Sequence, residues 1–248
     1  MSISAGGHGA ATGHGIVIAV DGPSASGKSS ASRGAARALG LRYLDTGSMY
    51  RALTWWILAR GIPVDDAGAV AQAAGEPIIE VGTDPDGPWV TVDGQDVTAA
   101  IRAQEVTSAV SAVARVPQVR SQLIAQQREI IAQARSEGRG IVAEGRDIGT
   151  VVAPDAVVKV FLTASERARA QRRTADLSRG PAAGPAVTVG DTEADQARRD
   201  RMDAAQLVEA DDAVEIDSTM FGLEDVIGMI ANLAHERAGL PDTARTTR

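Results

Sequence analysis

The chain has 248 residues, 44% of them apolar and 23% charged, the balance of a globular protein long enough to bury a sizeable core. A net charge of −7 argues against general binding to a nucleic acid backbone, and no apolar run approaches the ~18 residues that span a bilayer. Cysteine is absent and histidine occurs only at 8, 14 and 235, which excludes disulfides, thiolate metal sites, a cysteine nucleophile and a Ser-His-Asp triad, and fits a reducing cytosol.

Residues 1–15, MSISAGGHGAATGHG, are small and Gly-rich; they read as a flexible tail and lack the regions of a signal peptide. IVIAVD (16–21) is a short β-branched run, the pattern of a buried parallel strand. A glycine-rich turn follows, then an apolar-periodic helix from Lys28 to Leu39, closed by Gly40. LRYL opens a short link into LDTGSMYR (44–51), and a second helix runs from about Gly47 to Ala59, stopping near Gly61 and Pro63. In 76–98 two alternating runs, IIEV and WVTV, flank DPDGP, and a DG turn follows. This predicts a small antiparallel sheet inserted between helical segments.

The pattern from Gln104 to Ser136 is helical, interrupted at Pro117. GIVAEG (140–145) and AVVKVFL (156–162) are two further buried strands. SERARAQRR (165–173) is a basic helix with Ser165 as N-cap, and the Gly/Pro/Ala-rich stretch 176–191 reads as mobile. A charged helix at 192–203, a strand AVEID (213–217) and an amphipathic helix at 222–238 complete the chain. Alternating strands and helices imply an α/β fold with a central parallel sheet flanked by helices.

GPSASGKS (22–29) matches the phosphate-binding pattern G-x-x-x-x-G-K-[ST], with the required strand before it and helix after it. The loop Gly22, Pro23, Ser24, Ala25, Ser26 and Gly27, with Ser30 beyond it, can surround a triphosphate at the helix N-terminus with the backbone N–H groups of its residues other than Pro23. Lys28 reaches its outer phosphates and Ser29 offers a hydroxyl to Mg²⁺. Of 25 basic residues only Lys28 and Lys159 are lysine. Binding of ATP or GTP follows; what happens to the bound nucleotide does not.

Arginines cluster near the carboxyl ends of predicted strands, where ligands sit in open α/β sheets. Arg51 lies in LDTGSMYR, Arg146 and Asp147 in EGRDIGT, Arg167 to Arg173 after VFL, and Arg198, Arg199 and Arg201 before the last strand. A nucleoside monophosphate is mostly a dianion at neutral pH, with a second phosphate pKa of about 6. It brings its own nucleophilic oxygen and needs no general base, but it must be brought against another polyanion. Arginine, always charged and bidentate toward phosphate, relieves that repulsion. A neutral hydroxyl acceptor would call for a carboxylate base instead.

GPSASGKSS, LDTGSMYR, QEVTSAVSAVARVPQVR and EGRDIGTVV, in that order, resemble the bacterial cytidylate kinase family over about residues 16–235. The resemblance implies a P-loop kinase domain at 16–240 with a β-rich monophosphate-binding insert at about 62–104, a helical lid at about 170–204 and a second tail at 241–248. It implies transfer of the γ-phosphoryl group of ATP to CMP and dCMP, with Mg²⁺, by a cytoplasmic monomer. Residue by residue, it places Thr46 and Arg51 on the acceptor, Arg51 on its phosphate. Ser111, Arg120 and Asp147 would read cytosine, whose N4 donor suits a carboxylate and whose N3 and O2 suit Arg and Ser. Arg146 would hold the attacked phosphate, Arg199 and Asp203 would form a lid pair near sugar and phosphate, and Arg172 and Arg173 would face ATP. Glu144 either orients Arg146 or ends its strand.

One departure stands out. Where the family pattern has an arginine after RD-x-x-D, this chain has Gln206, and the segment that follows is shortened. A charge-assisted contact becomes a neutral one, about half as strong. Of the rival readings, this departure suggests a nucleotide-binding regulator that has lost catalysis; a kinase for UMP or a sugar acid would not need Ser111, Arg120 and Asp147, and a GTPase would want an NKxD-type guanine motif that is not present.

Overall fold

A computed structural model describes residues 15–179 and 189–239. Nearly all of the first expected tail, the second tail, and the core of the Gly/Pro/Ala-rich stretch lie outside the described residues.

Strand β1 (Val17–Asp21) leads through the 22–27 loop into helix α1 (Lys28–Leu39), which ends at Gly40 in a left-handed cap. β2 (Arg42–Asp45) runs directly into α2 (Thr46–Ala59), and α3 (Ala67–Ala73) opens the insert formed by β3 (Ile79–Val81), β4 (Val90–Val92) and β5 (Gln95–Asp96). Helices α4 (Gln104–Ala114) and α5 (Pro117–Ser136) lead to β6 (Ile141–Gly145). After β7 (Val158–Thr163) come α6 (Glu166–Arg179), α7 (Val189–Asp203), β8 (Val214–Asp217) and α8 (Leu223–Ala238).

The main sheet is parallel throughout, in the order β2-β6-β1-β7-β8, and the insert is a separate antiparallel sheet, β3-β4-β5. A parallel sheet needs both faces covered. Alternate residues of β1 serve the two layers. Val17 and Ala19 pack with Met49, Leu53 and Trp56 of α2 and with Leu123 of α5. Ile18 and Val20 pack with Ala31 and Ala35 of α1 and with Val226 and Ile230 of α8. Each Val, Leu, Ile or Met among them contributes roughly 1.5–3 kcal/mol of burial. Small residues let α1 and α8 approach closely: a Cβ on Gly34 would lie 2.2 Å from Ile227 Cδ1. The first layer continues into the insert through Val90, Val92 and Val97. Trp56 ties the two together, its indole N–H donating to Asp93 Oδ2 at 3.0 Å.

Three local expectations need correction. LRYL is not a link but an edge strand, with Tyr43 paired to Val142; four residues carrying Arg and Tyr show too little periodicity to announce it. Helix α3 has no expected counterpart; it is seven residues long, and Asp66 caps it by accepting Gly68 and Ala69 N–H at 3.0 Å each. The Gly/Pro/Ala-rich stretch is also narrower than 176–191, because α6 continues to Arg179 and α7 begins at Val189.

Candidate active site

The carboxyl ends of β1, β2 and β6 open onto one cleft of about 810 Å³. Its floor is the 22–29 loop. Gly22 is required there: its φ is +150°, and a Cβ would fall 2.1 Å from Leu162 O. Gly27, left-handed at φ 96°, turns the chain into α1 so that the helix N-terminus faces the cleft. Lys28 is buried and curls back to donate to Pro23 O at 2.7 Å. Burial, then the neighbouring Arg146, pushes its pKa down, while Glu144, Asp21 and Asp45 oppose that shift. Ser26 Oγ is buried and has no hydrogen-bond partner among the described residues, as suits a loop shaped for an anion.

Two arginines of α6 brace this loop. Arg172 donates to Ser26 O at 3.0 Å, to Ser218 Oγ at 2.9 Å and to Ser218 O at 2.6 Å. Arg169 donates to Ser24 O at 3.1 Å and pairs with Asp200 of α7, which also accepts Ser24 N–H at 3.4 Å. Arg172 lines the cleft with Arg173, but its donors are engaged with protein oxygens.

The opposite wall starts at Asp45, which caps α2 by accepting Ser48 N–H at 3.0 Å. One turn on, Arg51 projects into the cleft, steadied by Thr107 Oγ1 at 2.9 Å and Ile101 O at 3.3 Å. Arg146 lines the same cleft and reaches Asp203 of α7 at 3.3 Å. Arg51, Arg146 and Lys28 thus share one space.

The remaining expected residues are distributed differently. Thr46 is not on the cleft wall; it is buried beneath it, its hydroxyl donating to Glu144 O at 2.7 Å. Arg120 and Asp147 form an ion pair in an adjoining cavity of about 370 Å³, lined also by Thr150, Ala205 and Gln206. Ser111 is buried on α4 and lines neither cavity. Arg199 belongs to α7, and its side chain lies outside the described residues.

Sequence reasoning left Glu144 open and passed over Asp21 and Tyr43. Glu144, buried, lines the cleft, accepts the Tyr43 hydroxyl at 2.6 Å and faces Lys28 and Asp45. Burial, then Asp45, raises its pKa, while Lys28 and hydrogen bonds from Tyr43 and Ser29 oppose the rise. The signal for Tyr43 was its place on an unrecognised strand beside GIVAEG. Trp89, half exposed on the insert, also lines the cleft.

Among the described residues no group of three acidic, His or Cys side chains could cage a metal. Mg²⁺ does not require one, since it keeps waters and takes phosphate oxygens with one or two protein ligands. Ser29 with Glu144 and Asp45 near it supplies hard oxygen donors of the kind Mg²⁺ takes.

The profile of the family described as Cytidylate kinase matches residues 18–236. A protein of Streptomyces avermitilis with the curated name "Cytidylate kinase" is 48% identical over 226 residues, covering 90% of this chain and 94% of its own length. Relatives of the same name from Streptomyces coelicolor (50% over 229 residues; 90% and 95%) and Rhodococcus opacus (48% over 230 residues; 91% and 97%) are similar over the same extent.

Proposed function

The chain belongs to the cytidylate kinase family, and on that premise we propose that the 810 Å³ cleft is the chamber in which ATP meets its acceptor. The enzyme phosphorylates CMP with ATP, giving CDP and ADP. The observation that carries the division of roles is that Lys28, Arg51 and Arg146 line one cleft from three different elements.

In our reading the loop N–H groups and Lys28 hold the β- and γ-phosphates, with Ser24, Ser26, Ser29, Ser30 and Arg173 around them. Arg51 clamps the acceptor phosphate and Arg146 the phosphoryl group in transit. An acceptor phosphate oxygen forms the new P–O bond as the bond to the β–γ bridging oxygen breaks, and ADP leaves with that electron pair. Catalysis is then mostly positioning and charge neutralisation, which suits a site without histidine. Mg²⁺, held through Ser29, would neutralise charge on the β- and γ-oxygens. Lys28, its pKa lowered by burial, regains its charge beside phosphate.

Arg120 and Asp147, together with Ser111, read cytosine; Asp147 directly follows Arg146, and its ion pair with Arg120 lines a cavity of its own. Thr46 supports this from below by fixing α2 to Glu144. Asp203 and Arg199 close the lid over sugar and phosphate, and Asp203 already meets Arg146. Since most of these contacts are to base and phosphate, dCMP is a second acceptor. Residues 16–240 act as one domain, since the apolar core runs into the insert at 62–104, and the lid spans 170–204. We read the protein as a cytoplasmic monomer with no nucleic-acid or membrane partner, in line with its charge of −7; among the described residues no helix is long and apolar enough to cross a membrane.

³¹P NMR of the protein with ATP, Mg²⁺ and CMP tests the assignment. Growth of CDP and ADP signals in equal amounts supports it. Loss of ATP to inorganic phosphate without CDP would make the protein a hydrolase.

A further inference from the structure

Asp21 is the last residue of β1, immediately before Gly22 of the phosphate loop, and is 5% exposed. Its two oxygens accept consecutive backbone N–H groups across the sheet: Ile148 at 2.8 Å on Oδ1 and Gly149 at 2.7 Å on Oδ2. Those residues directly follow Arg146 and Asp147. They begin a single wide turn, Ile148–Val152, in which Asp147 O accepts Val151 and Val152 N–H. The fit is tight: a Cβ on Gly149 would lie 3.2 Å from Lys159 Cδ and 3.4 Å from Asp21 Oδ2.

A carboxylate accepts on both oxygens, and best when ionised, with no proton of its own to place. Asparagine would turn an N–H₂ toward one of the two donors, and glutamate would push the turn away by a methylene. Holding the charge there is costly: burial, then Asp147, raises the Asp21 pKa to about 6, while the two N–H groups and Lys28 act the other way. A group that weakens the fold but spans two functional loops has the profile of a positioning device.

We propose that Asp21 is a positioning residue for the acceptor: its double grip on Ile148 and Gly149 fixes the loop bearing Arg146 and Asp147 against the phosphate-binding loop. The inference rests on the phosphoryl-transfer reading above. It places the donor and acceptor halves of the site in register through one side chain that touches neither nucleotide. Loosening the grip moves Asp147 and Arg146, and leaves the triphosphate loop held by β1, Arg169 and Arg172.

The test is Asp21→Asn, with initial rates for CMP and UMP, titration with a non-hydrolysable ATP analogue, and a thermal melt. The proposal expects kcat/KM for CMP to fall by about 100-fold, the scale of an ångström-sized misplacement. The preference for CMP over UMP narrows by about tenfold, while analogue affinity stays within about twofold. General damage to the fold would lower both acceptors together and leave their ratio unchanged. A folded variant with an unchanged ratio overturns the proposal. If Asp21→Asn does not fold, Asp21→Glu is read by the same ratio; failure of both to fold assigns Asp21 to folding alone and also overturns it. Wild-type inactivity with CMP would instead sink the functional reading, which separates the two failures.

Discussion

Tyr43 and Glu144 join neighbouring strands in the wall of the cleft, the phenol donating to Glu144 Oε1 at 2.6 Å with both side chains buried. The bond ties β2 to β6 where α2 and the Arg146 loop diverge. Tyr43→Phe keeps the ring and leaves a buried carboxylate short of one donor, which costs about 1–3 kcal/mol. The expected outcome is a melting temperature lower by about 2–12 °C, read by calorimetry. An unchanged melting temperature would mean that water replaces the phenol at no cost.

Arg51 is held by Thr107 and Ile101 with its guanidinium facing the cleft. Arg51→Ala should raise the KM for CMP by about 10- to 100-fold, the worth of a charge-assisted contact. Binding of an ATP analogue should stay the same. Arg51→Lys should recover only part of the loss, because an ammonium grips phosphate without the bidentate fork. Steady-state kinetics with CMP varied checks this; equal KM values in wild type and Arg51→Ala would remove Arg51 from the acceptor site.

The Arg120–Asp147 pair predicts a change of selectivity rather than of rate alone. Asp147→Asn keeps the shape but loses the acceptor suited to cytosine N4. The CMP-to-UMP ratio of kcat/KM should fall by about 10- to 100-fold. A ratio that stays constant while both rates fall would place cytosine recognition elsewhere.

Gln206 lines the cavity shared by Arg120 and Asp147. A third charged group there would strengthen the contact that the neutral amide makes. Gln206→Arg should lower the KM for CMP about threefold or more, within the range by which charge assistance strengthens a hydrogen bond. No change in KM or turnover would show that the shortened lid already compensates.

Asp21 gives a pH dependence with a definite sign. Its pKa is raised from 3.8 to about 6, so between those values the folded state holds a proton that the unfolded chain has released. Its contribution to stability therefore falls as pH rises through that window and is level above it. The full change is about 3 kcal/mol. Asp155, Asp212 and Asp217, whose pKa values are lowered, contribute in the opposite direction. They cancel when wild type is compared with Asp21→Asn. Urea unfolding at pH 4 and pH 7 should show the variant gaining on wild type by about that amount; parallel stabilities would contradict it.

Much of the fold was legible because its signals are strong and local. GPSASGKS lies between a β-branched run and an amphipathic helix, and Gly40 ends that helix where glycine tolerates a left-handed cap. The DPDGP and DG turns announce the insert. β2 escaped because its four residues carry no clear alternation, and with it went the partner of Glu144. Arg51 and Arg146 were legible as arginines at strand ends. Asp200 and Asp21 were not: their work is to hold backbone groups of loops 127 or more residues away, and no spacing rule encodes such pairs. Thr46 shows the limit from the other side, since a hydroxyl in a functional octet is here spent on Glu144 O.

The most direct measurement is kcat/KM for ADP formation from ATP with CMP, dCMP, UMP, AMP and no acceptor, each at fixed Mg²⁺. The account predicts CMP and dCMP well above UMP and AMP, and near silence without an acceptor. AMP above CMP would contradict the cytosine assignment of Arg120 and Asp147, and silence with every acceptor would contradict the kinase itself.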